Sequence, residues 1–136
     1  MATIKLEVVS PDKMVYSEDI SMLIVRSTAG DLGIMPKHAP LVAGLVPQAM
    51  RIKKEEGIEE LIAVAGGFVE VQPEKITVLA SAAETKDDID AARAQKSYER
   101  AQKRISSKAA DVDMARAEAS LKRAMARLQV SGKNIH

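Results

Sequence analysis

Apolar and polar positions alternate in short runs over the first 86 residues and recur at helical spacing over the last 50. The runs cover residues 3–9, 14–26, 31–36, 41–46, 48–53, 60–65, 68–71 and 76–80. Turn residues separate them at intervals of about 8–12 positions, the pattern of an antiparallel sandwich or barrel of about eight to ten strands. Within 49–53, Met50 and Ile52 point one way while Arg51 and Lys53 point the other. Lys53-Lys54-Glu55-Glu56-Gly57 reads as a charged hairpin turn, and Gly66-Gly67 as a tight turn or bulge, because glycine tolerates positive φ.

From Asp87 the period becomes helical. Asp87 and Asp88 suit a helix N-terminus, where carboxylates meet free amides and oppose the dipole. Ala91, Ala94, Tyr98, Ala101 and Ile105 form the first stripe, which Ser106-Ser107-Lys108 interrupts. Asp111 or Asp113 can cap a second helix with the stripe Met114, Ala117, Leu121, Ala124 and Leu128, ending near Gly132. The short connection makes the pair an antiparallel hairpin. The expected class is all-β plus α: a β-sandwich domain over 1–86 and a helical hairpin over 87–136.

Composition sharpens that division. The 136 residues carry a net charge of +1. Residues 1–86 hold 9 basic and 12 acidic side chains, whereas 87–136 hold 11 basic and 7 acidic. The large apolar residues number 32 in the first part and 10 in the second. The first part can therefore build a core alone. The hairpin has alanine to favour helix but little to bury, so it is expected to dock weakly.

Several classes of function fall away. With no cysteine, disulfides, zinc ribbons and thiol nucleophiles are excluded. Apolar runs such as 22–25 and 61–65 are far shorter than the roughly 20 residues of a membrane span. No basic stretch followed by an apolar one opens the chain, so a soluble cytoplasmic protein is expected. There is no phosphate-binding glycine loop, no dinucleotide fingerprint and no His-Glu-x-x-His. His38 lies in a loop pinched by Pro36 and Pro40, and His136 is the last residue. No nucleophile, base and orienting group come together, so catalysis is not expected.

The positive signal is arginine. On a helical wheel Arg93, Arg100 and Arg104 fall within about 40° of one another. Arg116, Arg123 and Arg127 share a face of the second helix. Arg100/Arg104 and Arg123/Arg127 are like-charge i,i+4 pairs, each costing a few tenths of a kcal/mol in an isolated helix. Three readings remain open: a solvated basic face or an interface with an acidic partner, a nucleotide or phosphate site, and a nucleic-acid surface. Guanidinium forks bind phosphate bidentately, which suits the second. The acidic first part and scarce aromatics disfavour the third.

Specific strings then carry a resemblance. They are Val9-Ser10-Pro11, Gly30-Asp31-Leu32-Gly33-Ile34-Met35-Pro36-Lys37-His38-Ala39-Pro40-Leu41, Ala65-Gly66-Gly67-Phe68-Val69-Glu70-Val71 and Ile76-Thr77-Val78-Leu79-Ala80. On these strings and the domain order, the chain resembles the epsilon subunit of the bacterial F-type rotary ATP synthase. The resemblance implies a non-catalytic rotor subunit that couples proton or sodium flow to ATP synthesis. The β-domain is expected to dock on the gamma subunit and on the ring of c subunits. Membrane association, on the cytoplasmic face, would come only through the complex. The hairpin is expected to lie folded on the β-domain or to extend and inhibit ATP hydrolysis, meeting an acidic segment of the beta subunit.

A narrower implication concerns ATP. Ile89-Asp90-Ala91-Ala92-Arg93-Ala94 fits the I/L-D-x-x-R-A motif of family members that bind ATP on the hairpin. The matching positions are Glu84, Ile89, Asp90, Arg93, Arg100, Arg123 and Arg127. The resemblance assigns the arginines to phosphates, Glu84 and Asp90 to orienting arginines or sugar, and Ile89 to the neighbourhood of adenine. ATP would be a regulatory ligand; any part for magnesium is left open. Arg104 and Arg116 are assigned to the inhibitory interface, and Asp31 and His38 to one loop facing the c ring. A stand-alone nucleotide-sensing module and a lipoyl-type carrier domain are the alternatives. The second needs a modified lysine, for which Lys53-Lys54 is the only hairpin tip.

Overall fold

The computed structural model describes residues 2–107 and 113–132, so Asp111 and His136 lie outside the described residues. The strands are β1 (Ile4–Val9), β2 (Met14–Ile20), β3 (Met22–Ser27), β4 (Gly30–Ile34), β5 (Leu41–Leu45), β6 (Gln48–Lys53), β7 (Glu59–Val64), β8 (Gly67–Val71), β9 (Lys75–Ala80) and β10 (Ala83–Glu84). Two helices follow, α1 (Ala91–Ser107) and α2 (Met114–Ser131). Hydrogen bonding runs in the order β10-β7-β6-β3-β5-β8-β9-β1-β2, with β4 on the remaining edge of β3. The β3–β5 link is the single pair Ser27–Leu45. The strands thus fall into two layers, β10-β7-β6-β3-β4 and β5-β8-β9-β1-β2, joined at one corner.

Alternation dictates what lies between the layers. Leu6 and Val8 from β1, Val69 and Val71 from β8, and Ile76 and Val78 from β9 face Leu23, Ile34, Met50, Ile52, Ile62 and Val64. All of these are buried. β1 and β9 pair in parallel, Lys5 against Lys75 through Val9 against Leu79. Lys54 pairs with Glu18 at 2.5 Å and Glu60 at 2.9 Å, bridging β2 of one layer to β7 of the other. Glu18 first, and Glu60 with it, push the Lys54 ammonium above its usual range.

Three expectations need correction. The run 14–26 is two strands, because Ser21 leaves the ladder and bonds back through N and Oγ to the Lys53 carbonyl. β10 was not anticipated; two residues are too few to show a period. Asp87 and Asp88 do not cap α1. They lie in a 3₁₀ turn, Lys86–Asp88. There the Asp88 carboxylate accepts the Thr85 amide at 3.1 Å and the Thr85 hydroxyl at 2.9 Å. Those bonds hold the Asp88 carboxyl below the usual carboxylate range. The cap of α1 is Asp90, whose Oδ1 accepts the Arg93 amide at 3.1 Å. The charged turn before β7 does form, over Glu55–Gly57.

The helices pair along the predicted stripes. Ala94 and Tyr98 of α1 meet Ala124 and Leu128 of α2, with Leu121 alongside. Asp113 caps α2 by accepting the Arg116 amide, and Gly132 closes it in the left-handed conformation. Only α2 packs substantially on the β-domain, against β6 and β7. Its Ala126 and Val130 meet Ala63, with Ala49, Leu61 and Ile89 around them. α2 is therefore apolar on two sides, and α1 is carried on its back. Among the described residues, no helix is long and apolar enough to cross a membrane.

Candidate functional site

The arginines sit where α2, α1 and β10 approach one another. On α2, Arg116, Ser120, Arg123 and Arg127 follow at spacings of four, three and four, so one strip of the helix carries all four. Arg127 Nε donates to Glu84 Oε1 at 2.6 Å, an ion pair between α2 and β10. Glu84 is held by β10, where it pairs with Ala63. Glu84, Arg123 and Arg127 line one recess of about 10 Å3. That is about the space of a single water, so the ion pair fills the position. Both side chains remain part-exposed, which limits the pair to at most about 1 kcal/mol.

Towards the free end of the hairpin the strip opens into a cleft of about 570 Å3. Arg104 from α1 and Arg116, Ser120 and Arg123 from α2 line it, together with Asp113. Arg123 Nη2 donates to Ser120 Oγ at 3.0 Å, which fixes the guanidinium. Arg123 belongs to both the recess and the cleft.

The other positions expected to hold nucleotide are distributed differently. Arg93 and Arg100 stand exposed on α1 and line neither recess nor cleft. Asp90 spends one carboxylate oxygen on the N-terminus of α1. Ile89 is half-buried in the seam between α2 and β7, where it joins the Ala63, Ala126 and Val130 cluster. The structure thus brings Glu84, Arg123 and Arg127 together, and leaves Arg93 and Arg100 on the outer helix.

Asp31 and His38 do not share a loop, which corrects the expectation. Asp31 lies on β4 beside the β3–β4 hairpin, and Arg26 Nε bonds its Oδ1 at 3.0 Å. His38 lies beyond the other end of β4, where its Nδ1 is 2.7 Å from the Ala39 carbonyl oxygen. Ile34 ends the strand against Leu23, so Asp31 and His38 occupy opposite ends of the sandwich. Sequence proximity concealed this because β4 spends its length crossing the domain. Among the described residues, no group of three or more histidine or acidic side chains is gathered as for a metal ion.

One surface escaped the sequence reading. On the outer face of the layer away from the hairpin, register puts Gly44 beside Phe68, Phe68 beside Leu79, Leu79 beside Val9 and Val9 beside Met14. Phe68 is 58% exposed, Leu79 50% and Met14 50%; Val42, two pairs along from Gly44, is 68% exposed. Phe68, Leu79 and Met14, with the half-buried Val9 among them, make an apolar row across four strands, a feature common at binding surfaces. Alternation in 68–71 and 76–80 does expose Phe68 and Leu79. Only the register shows that they adjoin.

Comparison with known proteins agrees with this architecture. The family model described as ATP synthase, Delta/Epsilon chain, beta-sandwich domain matches residues 3–86, and its long alpha-helix domain matches residues 87–132. The chain is 51% identical over 133 residues to the ATP synthase epsilon chain of Bacillus subtilis (strain 168), covering 98% of this chain and 100% of that one. Among solved structures, the Euglena gracilis mitochondrial ATP synthase (OSCP, F1 and c-ring) contains a chain that superposes with a TM-score of 0.78 at 22% identity. That alignment covers 95% of this chain and 81% of the other. A chain of the Tetrahymena thermophila mitochondrial ATP synthase central stalk and c-ring gives 0.58 at 14% identity, over 95% and 93%. The two low-identity structures share the fold. The two domain models and the Bacillus relative, which between them span almost the whole sequence, show that this chain belongs to the ATP synthase delta/epsilon family, among its epsilon chains.

Proposed function

We propose that this chain is a non-catalytic central-stalk subunit of an F-type ATP synthase, with a β-domain that docks on the gamma subunit and the c ring and a hairpin that regulates ATP hydrolysis. The apolar row Phe68, Leu79, Val9 and Met14 carries the docking part of this reading. It lies on the layer opposite the hairpin, so a partner can hold the β-domain while the hairpin stays free to leave. We assign this row to gamma and the Asp31 end of the sandwich to the c ring, with His38 no longer part of that contact. Coupling ion flow to ATP synthesis at the cytoplasmic face of the membrane follows from membership of the complex, not from chemistry on this chain.

The test is capture by purified gamma subunit. Phe68→Asp and Leu79→Asp should each weaken capture by about thirtyfold or more, as expected of a buried interface anchor worth about 2 kcal/mol. Both side chains are exposed, so the variants should melt like the parent. Undiminished capture by the doubly substituted protein would remove the assignment. A chain that ignores gamma altogether yet binds nucleotide would be the stand-alone sensor.

The hairpin's regulatory role rests on its thin attachment. Among the described residues, the α2 side chains buried against the β-domain cluster are the small Ala126 and Val130, with one part-exposed ion pair. Arg93 and Arg100 from α1 and Arg123 and Arg127 from α2 supply the cationic groups for ATP, with Glu84, Ile89 and Asp90 around them. A triphosphate shared by both helices and β10 would favour the folded arm, by no more than its difference in affinity between the folded and released forms. When ATP is scarce the released arm would meet the beta subunit and slow hydrolysis. In calorimetric titration of the full chain with ATP, Arg93→Ala and Arg127→Ala should each lower affinity by about tenfold or more. Equal affinity in parent and both variants would rule out this cradle.

A further inference from the structure

We infer that the groove between α2 and the β3–β6 side of the sandwich binds an uncharged, mainly apolar small molecule, which holds the hairpin on the β-domain. The groove has a volume of about 600 Å3, within the range of small-molecule sites, and such sites concentrate where two modules meet. Ile24 of β3 and Val46 and Pro47 of the β5–β6 corner supply one wall; Leu121 and Met125 of α2 supply the other. Ala49 and Ala126 belong both to the groove and to the seam that docks the hairpin, so the two surfaces are continuous. The sandwich wall is preformed. Gln48 Oε1 accepts the Arg26 amide at 2.5 Å, and its Nε2 donates to the Arg26 and Val46 carbonyls at 2.6 and 2.9 Å. Met125 is exposed, and its long unbranched side chain adapts to the shape of an occupant.

The charges around the groove decide the class of occupant. Arg26 pairs with Asp31 at 3.0 Å and Arg51 with Glu59 at 2.9 Å. Lys122 stands one helical turn after Glu118, the favourable order for such a pair. Each cation thus has a carboxylate beside it. A charged ligand must compete with these pairs, whereas an uncharged one leaves them intact and covers apolar wall. The groove is distinct from the arginine strip. At about 100° per residue, Glu118, Lys122, Met125 and Gln129 lie about 160° around α2 from Arg116, Ser120, Arg123 and Arg127. Because one wall is hairpin and the other is sandwich, a ligand touches both only while the hairpin is docked. It favours that state by its difference in affinity between docked and released forms. ATP and the groove ligand would then each tighten binding of the other. That coupling rests on the ATP reading; the groove itself does not.

The experiment uses the full chain and N-phenyl-1-naphthylamine, an uncharged probe whose fluorescence rises in apolar surroundings. The parent protein should show saturable binding. Met125→Lys on the hairpin wall and Val46→Lys on the sandwich wall should each weaken it about tenfold or more, because a charge then faces the apolar probe. Phe68→Asp/Leu79→Asp, which alters the exposed row on the opposite layer, should bind the probe like the parent. Met125 is exposed, so Met125→Lys should melt like the parent and carries the test even where Val46→Lys does not fold. Probe at about ten times its Kd should raise the hydrogen-exchange protection of α2 amides that open by hairpin release about tenfold. Absence of saturable binding in the parent, or parent-like affinity in Met125→Lys, would overturn the site. Loss of binding in Phe68→Asp/Leu79→Asp would overturn it too, by placing the probe on the other layer. Unchanged α2 protection would overturn the hold on the hairpin. No readout here involves nucleotide or gamma, so the ATP titration of Arg93→Ala succeeds or fails separately.

Discussion

Alanine in place of Gly67 should abolish most of the stability of the β-domain. Gly67 opens β8 with φ of 135°, a region that side chains rarely enter. A Cβ there would lie 2.1 Å from the Leu79 carbonyl oxygen and 2.9 Å from Ala80 Cα. Both obstacles are backbone of β9, the neighbouring strand, so no rotamer change relieves them. Strain and overpacking together amount to about 4 kcal/mol or more. Small domains have only about 5–15 kcal/mol in total. Urea denaturation followed by circular dichroism should show the midpoint collapse. Gly57→Ala is the control: its φ is 76° but no atom lies within 4 Å of the added Cβ, so about 1 kcal/mol is expected. Similar midpoints for the two variants would show that the close approach to β9 is not what requires glycine.

Leu128→Ala should open the hairpin and spare the sandwich. Leu128 is fully buried between the helices, against Ala94, Tyr98 and Ala124. Truncating a buried leucine costs about 2–5 kcal/mol. Two of its neighbours, Ala94 and Ala124, are alanines, too short to move in and fill the space. The hairpin has few other large apolar contacts to lose, whereas the β-domain core is a separate cluster. Hydrogen exchange should therefore show amides of α1 and α2 losing protection by about thirtyfold or more, the equivalent of about 2 kcal/mol. Amides of β1, β8 and β9 should keep theirs. A uniform loss across both modules would mean that the hairpin and sandwich open together.

What the sequence disclosed follows from how locally each feature is written. Alternation placed Met50 and Ile52 inside and Arg51 outside, and the alanine stripes placed Ala94, Ala124 and Leu128 at the helix interface. These are consequences of period alone. The first cap was misplaced because three aspartates precede α1. Only the backbone decides which of them faces a free amide; Asp90 does. Non-local facts were less accessible still. Nothing near Ala126 or Val130 says that α2 has a second apolar side, since the surface they meet comes from β6 and β7, more than 60 residues earlier. The Glu84–Arg127 pair was foreseeable only as two positions of one motif, not as a bond. The run 31–36 already separates Asp31 from His38 as a strand; only the resemblance assigns them to one loop.

The manner in which the hairpin is attached orders the events of synthesis. Every element of the sandwich has left the ribosome before Ala91 emerges, and domains fold as units from the N-terminus onward. α1 then appears with little surface of its own to rest on, and helices in proteins draw most of their stability from packing. It must wait for α2 to supply its partner face and its anchor together. A nascent chain stalled between the two helices would thus present a finished sandwich trailing an unfolded arm.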